Sequence, residues 1–118
     1  MDKDIRVRTF KFGLRVINIY QQIPRTGAGY ILGKQLLRAG TSVGANVEEA
    51  TAASSKADFT NKMNIALKEA RETQYWLRLL CESKIVDDLQ FHELLDESNQ
   101  IGNILGSIVS KMRVKRTA

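Results

Sequence analysis

The most concentrated chemistry in this sequence is a set of six polar side chains at helical spacing. Four follow one another at steps of four, four and three, and two more lie three residues apart further along: Arg38, Ser42, Asn46 and Glu49, then Glu69 and Glu72. Such steps place side chains on one face of a helix, where an arginine can pair with carboxylates of a neighbouring helix. The pattern predicts a partly buried polar network that fixes the register of two helices, and a ligand-binding site is the alternative.

Residue types that support catalysis or metal binding are scarce. The only histidine is His92, and Leu89 stands three residues before it, so the Glu-x-x-His motif of di-metal bundles is absent. The only cysteine, Cys81, lies in an apolar run, where a buried thiol behaves as a small hydrophobe. No glycine-rich segment matches a nucleotide-binding fingerprint. We therefore predict no enzyme activity, no catalytic residue, no metal and no cofactor.

Charge is distributed unevenly along the chain. The net charge is +5, but residues 1–40 carry +6, residues 41–110 carry −5 and residues 111–118 carry +4. Both ends are therefore basic and the middle is acidic. Clustered cations are typical of surfaces that bind phosphate backbones or acidic proteins, although basic ends also serve only to keep a protein dissolved.

The length and composition indicate one globular domain. The 118 residues include 43% hydrophobic and 26% charged residues and a single proline, which favours helix over strand. We predict one domain over residues 1–118, with flexible basic ends at about 1–8 and 113–118. No stretch approaches the ~20 apolar residues that span a bilayer, and no secretion signal is evident. The chain is thus expected in the cytoplasm, without a membrane partner.

Helix one is predicted from about Phe10 to Gln22. Phe10, Leu14 and Ile17 recur at helical spacing and are expected to form its buried stripe. Four further residues are expected to widen that stripe: Gly13, Val16, Tyr20 and Ile23. Pro24 opens a six-residue segment with two glycines, which has the chemistry of an interhelical turn.

Helix two is predicted from about Tyr30 to Ala52. Its core stripe consists of Leu32, Leu36, Ala39, Val43, Val47 and Ala50. Three glycines, Gly33, Gly40 and Gly44, run beside that stripe, although glycine costs about 1 kcal/mol in a helix interior. They predict close approach by another helix, either within the chain or from a second subunit.

Helices three and four have recognisable starts. Helix three is predicted from about Ala57 to Ser83. Ser55 is expected to cap its start, and Asp58, three residues later, is expected to complete the capping box and to suit the positive end of the helix dipole. Asp87 is the expected cap of helix four. The two stripes alternate threes and fours: Phe59, Met63, Ala66, Ala70, Thr73, Leu77 and Leu80 in helix three, then Phe91, Leu94, Ser98, Ile101, Leu105, Ile108 and Met112 in helix four.

Four helices with short loops predict an all-α, antiparallel up-down-up-down four-helix bundle. In that topology the start of the first helix and the end of the fourth lie at one pole. We therefore predict a basic pole that binds nucleic acid, formed by Arg6, Arg8, Lys11, Arg15, Lys111, Arg113, Lys115 and Arg116.

Three segments resemble a known family. The run 34–50 (KQLLRAGTSVGANVEEA), the pair 58–59 and the run 65–80 are similar to the four-helix bundle proteins encoded by intervening sequences inside bacterial 23S ribosomal RNA genes. Residues 101–108 and the basic tail also resemble a relative of that family, the accessory variability determinant of diversity-generating retroelements. The resemblance implies a homopentamer. Four apolar residues off the core stripes are then candidates for subunit contacts: Ile19, Tyr30, Ile31 and Ile65.

The sequence thus leads to a functional hypothesis with one main alternative. The hypothesis is a non-catalytic homo-oligomeric bundle that binds nucleic acid through the basic pole, with RNA as the preferred target over DNA. The alternative is a protein-interaction adaptor for an acidic partner or for a reverse-transcriptase-like enzyme.

Overall fold

Four α-helices make up most of the molecule. The computed structural model describes the backbone of residues 3–117 and the side chains of residues 5–113. The helices are α1 (Lys3–Tyr20), α2 (Gly27–Thr51), α3 (Lys56–Glu82) and α4 (Leu89–Thr117). Helical backbone covers residues 3–8 and 113–117, while residues 1, 2 and 118 lie outside the described part, so the flexibility of the two ends stays a prediction.

Each helix packs against two others in an elongated bundle. The contacts join α1 to α2, α2 to α3, α3 to α4 and α4 to α1, and the last of these is the smallest. Within residues 3–117 the backbones of the diagonal pairs do not approach within 8 Å between Cα atoms, and no strand occurs. The bundle measures 49 × 22 × 21 Å. The predicted all-α up-down-up-down four-helix bundle is confirmed.

Side-chain caps fix the starts of α3 and α4. The Ser55 hydroxyl accepts a hydrogen bond from the Asp58 backbone N–H at 3.0 Å, which confirms the predicted cap. In α4 it is Asp88 that caps the helix, since its carboxylate accepts from the Gln90 N–H at 2.9 Å. The predicted cap, Asp87, was therefore wrong by one residue.

The predicted core stripes of α2, α3 and α4 are confirmed. Most of their members are buried, and those at the helix ends, such as Leu32 and Ile108, pack against the core from its edge. The glycines beside the α2 stripe serve the approach of α1. A Cβ on Gly40 would lie 2.7 Å from a methyl of Val16, and one on Gly44 would lie 3.0 Å from the Thr9 carbonyl oxygen. Close packing within the chain explains both glycines.

The predicted buried stripe of helix one was wrong in its three main members, although Val16 and Ile23, which were predicted to widen it, are buried. Helix α1 begins at Lys3 rather than Phe10, and the side chains of Phe10, Leu14 and Ile17 are 63%, 53% and 42% exposed. The buried face consists instead of Ile5, Thr9, Phe12, Val16 and Ile19. Two apolar faces compete on this helix, and the face that contains Val16 fits the glycine surface of α2.

Two further features of α1 follow from the same packing. Thr9 can be buried because its hydroxyl donates to the Ile5 carbonyl oxygen at 2.7 Å, so no polar atom is left unpaired. Ile19, predicted as a subunit contact, is only 2% exposed and belongs to the core, so that prediction was wrong.

Candidate nucleic-acid interface

The polar strips of α2 and α3 meet through one arginine. Arg38 Nη1 lies 3.3 Å from Glu69 Oε2, and Arg38 Nη2 is paired with Glu72 Oε2. Glu72 also accepts a hydrogen bond from Trp76 Nε1 at 3.0 Å. Arg38 and its two carboxylates therefore bridge α2 and α3 at the half-exposed rim of their interface, which is the arrangement expected of a network that sets helix register.

The remaining members of the predicted network bond differently. The Ser42 hydroxyl donates to the Arg38 carbonyl oxygen at 2.8 Å, and the Asn46 amide donates to the Ser42 carbonyl oxygen at 2.9 Å. Glu49 pairs with Lys62 at 3.0 Å, which raises the pKa of Lys62. Ser42 and Asn46 thus bond to their own helix, and only Arg38 and Glu49 reach across to α3.

Two of the predicted nucleic-acid-binding arginines are held by carboxylates of the chain. Arg6 donates to both oxygens of Glu48 on α2, at 3.3 and 3.1 Å. Arg8 donates to both oxygens of Glu97 on α4 at 2.7 Å. The hydrogen bonds from Arg8 lower the pKa of Glu97, and those to Glu97 raise the pKa of Arg8. These arginines therefore clamp α1 to its neighbours.

The other two cations of α1 are exposed but differ in their surroundings. Arg15 lines a groove of about 180 Å³ between α1 and α4, together with Glu93, and its charge contributes to the lowered pKa of Glu97. Lys11 lies on the outer side of α1. Arg8 and Arg15 thus look toward an acidic segment of α4, which partly cancels their field.

The end of α4 is the most uniformly basic part of the chain. No acidic residue follows Glu97, and four cations fall between positions 111 and 116. Lys111 and Arg113 are exposed, whereas the side chains of Lys115 and Arg116 lie outside the described residues. Because α4 continues to Thr117, the four positions occupy about two helical turns.

Among the described side chains, Arg8 and Lys111 lie well apart along the bundle. The Arg8 guanidinium also donates to Gln100 Oε1 at 2.6 Å, and Lys111 follows Gln100 by eleven residues, about 16 Å along the helix axis. The paired arginines of α1 are thus separated from the cations at the end of α4. Binding of nucleic acid by any of the eight residues stays a prediction.

Sequence reasoning missed an exposed apolar stripe on α1. Its four members are Val7, Phe10, Leu14 and Ile17. The signal that reveals it is the presence of two apolar faces on one helix, since a helix on the surface of a four-helix bundle needs only one. Of the remaining predicted subunit contacts, Ile31 is exposed, while Tyr30 and Ile65 are half-buried.

The described residues offer little support for a metal site, a membrane-spanning helix or a reactive cysteine. Among the side chains of residues 5–113, no three or more His, Cys, Asp and Glu come together as a metal site would require. Within the described helices, none is long and apolar enough to cross a membrane. Burial raises the pKa of the Cys81 thiol, which disfavours the reactive thiolate.

Fold and surface together define an up-down-up-down four-helix bundle with a basic end and an exposed apolar helix face. The sequence matches the family model described as 23S rRNA-intervening sequence protein over residues 1–107. The chain belongs to that family, as its sequence motifs predicted.

A solved structure supports the assignment. The chain is similar to a protein with unknown function from the S23 ribosomal protein family of Bacteroides thetaiotaomicron VPI-5482, with 41% identity and a TM-score of 0.82. The match covers 89% of this chain and 97% of the other. No curated protein matches the chain significantly. The relation to the accessory variability determinant stays a prediction.

Proposed function

We propose that this chain is a non-catalytic, homo-oligomeric bundle that binds nucleic acid mainly through the basic end of α4, with RNA as the preferred target over DNA. The observation that carries the proposal is the run of four cations after position 110, on a helix with no carboxylate beyond Glu97. Cations at a helix C-terminus also stabilise the helix dipole, but one or two are enough for that purpose. Four cations within two turns surround the end of the helix with positive charge, which favours binding of phosphate backbones.

The α1 cations take a secondary part in this proposal. Arg6 and Arg8 would have to leave Glu48 and Glu97 to reach a phosphate, which removes two bidentate pairs. Within residues 5–113, Lys11 and Arg15 form no such bidentate pair, and both are exposed, so they can extend the basic surface along α1. The α4 end therefore provides the main contact, and the α1 cations add to the field around it.

Self-association would strengthen a weak single site. The apolar stripe on α1 supports an assembly of several copies, and we propose the homopentamer that the family resemblance implies. An assembly that presents several basic ends to one RNA gains avidity, because the second and later contacts become intramolecular.

Fluorescence anisotropy with a labelled, structured RNA at low salt tests the proposal. The test variant replaces the α4 cations by glutamine: Lys111→Gln, Arg113→Gln, Lys115→Gln and Arg116→Gln. The matched control makes the same charge change on α3 and in the loop after it: Lys56→Gln, Lys68→Gln, Arg71→Gln and Lys84→Gln. We expect the α4 variant to lose at least tenfold in affinity and the control to lose much less.

Equal losses from the two variants would show that total charge, and not the α4 end, determines binding. Undetectable binding by the unmodified protein would contradict a nucleic-acid role. A partner retained in a pull-down after nuclease treatment would then favour the adaptor alternative, in which the same cations meet an acidic protein surface.

A further inference from the structure

Helix α3 carries a basic stripe on its outer face with a tyrosine in the middle. Lys68, Arg71, Tyr75 and Arg78 follow one another at steps of three, four and three, which places them on one side of the helix over about 15 Å. All four are exposed, and Tyr75 is 54% exposed. We call these four residues the α3 stripe. Cations on a surface helix are common, but an open aromatic ring between them is typical of surfaces that hold single-stranded nucleic acid.

The carboxylates nearest to the first half of the stripe are already paired. Glu69 and Glu72 of the same helix both pair with Arg38 of α2. Among the side chains of residues 5–113, none forms an ion pair or a hydrogen bond with Lys68 or Arg71. This half of the α3 stripe therefore presents positive charge that the fold itself does not use.

The Tyr75 ring rests against a second ring that is anchored. It contacts the Trp76 ring in an edge-to-face arrangement, with 5.1 Å between the two ring centroids. Trp76 is held in turn, because its Nε1 donates a hydrogen bond to Glu72 at 3.0 Å. A ring supported in this way loses little conformational freedom when another flat group stacks on its open part.

A shallow groove of about 360 Å³ begins at Tyr75 and runs toward the end of α3, lined also by Arg78, Leu79, Glu82 and Ser83. Tyr75 and Leu79 offer a base an aromatic and an apolar surface. Arg78 and Glu82 are paired at 3.4 Å, but their side chains are 65% and 72% exposed, so water screens the pair. The carboxylate at this end repels phosphates, so the backbone of a bound strand is expected along the other two cations of the stripe.

We propose that the α3 stripe binds unpaired RNA, with a base stacked on Tyr75 and the adjacent phosphates on Arg71 and Lys68. The inference rests on the proposed function in taking RNA as the ligand, and it adds a second surface with a different preference. A duplex keeps its bases paired and stacked on one another, so only a single strand or a loop places a base on Tyr75. The structured RNA that tests the end of α4 offers few such bases, so substitution of Lys68 and Arg71 costs little there.

The α3 stripe and the basic end of α4 lie within reach of one strand. Gln74 donates a hydrogen bond to the Ser98 carbonyl oxygen at 3.1 Å, so Tyr75 lies at about the level of Ser98 along the bundle. Lys111 follows Ser98 by thirteen residues, about 20 Å along the helix axis. At about 3.4 Å per nucleotide, a stacked strand of about twelve nucleotides covers roughly 40 Å and can touch both surfaces.

Fluorescence anisotropy at low salt compares a labelled strand of about twelve uridines with an RNA duplex of the same length. We expect Tyr75→Leu to weaken binding of the strand at least fivefold and to leave binding of the duplex unchanged. Tyr75→Phe keeps the ring and should bind the strand like the unmodified protein. Tyr30→Leu is the matched control and should change neither affinity, because the Lys34 ammonium already lies 4.2 Å from the centre of the Tyr30 ring.

The fluorescence of Trp76 gives a measurement that needs no substitution. Trp76 is the only tryptophan of the chain and contacts Tyr75, so a base stacked on Tyr75 should quench its emission. We expect quenching by the uridine strand and none by the duplex. Quenching by both, or by neither, overturns the inference.

The remaining outcomes separate this inference from the proposed function. The inference is overturned if Tyr75→Leu binds the strand as tightly as the unmodified protein, if Tyr75→Phe binds it as weakly as Tyr75→Leu, or if Tyr30→Leu loses as much affinity. None of these results contradicts binding by the end of α4. If the α4 glutamine variant keeps its affinity for RNA while Tyr75→Leu loses the strand, the stripe is supported and the α4 contact is contradicted. No binding of either RNA overturns both.

Discussion

Substitution of Gly40 by alanine tests how α1 is seated on α2. The new Cβ would lie 2.7 and 2.9 Å from the two methyls of Val16, which is itself fully buried and cannot swing into solvent. Overpacking of this kind costs about 1–3 kcal/mol, whereas the gain in helix propensity from glycine to alanine is at most about 1 kcal/mol. The clash therefore wins, and we expect Gly40→Ala to lower the free energy of unfolding by about 1–2 kcal/mol.

Thermal and urea unfolding followed by circular dichroism at 222 nm measure the effect. At about 4 °C per kcal/mol for a domain of this size, Tm should fall by about 4–8 °C. The matched control is Gly106→Ala, since a Cβ there would meet only a Leu67 methyl at 4.0 Å and should stabilise the helix slightly. Val16→Ala in the Gly40→Ala background should recover about 1 kcal/mol relative to additivity. Equal stability of the Gly40 and Gly106 variants would refute the proposed seating of α1.

Three further outcomes follow from local contacts. Because Arg8 lowers the pKa of Glu97, the pair stabilises the fold at neutral pH, and this contribution disappears as pH falls through that lowered pKa. Glu97→Gln should therefore lose less Tm on acidification than the unmodified protein. An equal loss of Tm at low pH would contradict a stabilising role for the pair. Ser55→Ala should lower the free energy of unfolding in urea by about 1 kcal/mol, and no change would mean that the cap does not stabilise α3. Asp88→Ala should destabilise the protein by a similar amount and Asp87→Ala by much less. The reverse order would show that Asp87 caps α4, as the sequence predicted.

The core faces of α2, α3 and α4 were predictable because each of these helices has one apolar stripe. Helix α1 has two, and local pattern does not choose between them. The choice depends on shape, since the β-branched Val16 fits against Gly40 and the α1 backbone at Thr9 approaches Gly44. Only the packed helix pair contains that information, which is why Phe10 was wrongly placed inside.

The polar contacts divide in the same way. The pairing of Arg38 with Glu69 and Glu72 was predictable because polar strips on sequence-adjacent helices face each other in an antiparallel hairpin. The pairing of Arg8 with Glu97 joins residues 89 positions apart and depends on how α1 packs against α4, which charge counting does not reveal. As a consequence, the sequence predicted four α1 cations available for binding, whereas Arg6 and Arg8 are paired with carboxylates in the folded chain.

The dependence of RNA affinity on salt tests the central claim most directly. If the basic end of α4 binds phosphates, the logarithm of the association constant falls linearly with the logarithm of salt concentration, and replacing its four cations by glutamine reduces the slope by roughly three. A slope near zero for the unmodified protein, or one that the α4 substitutions leave unchanged, would contradict the proposed interface.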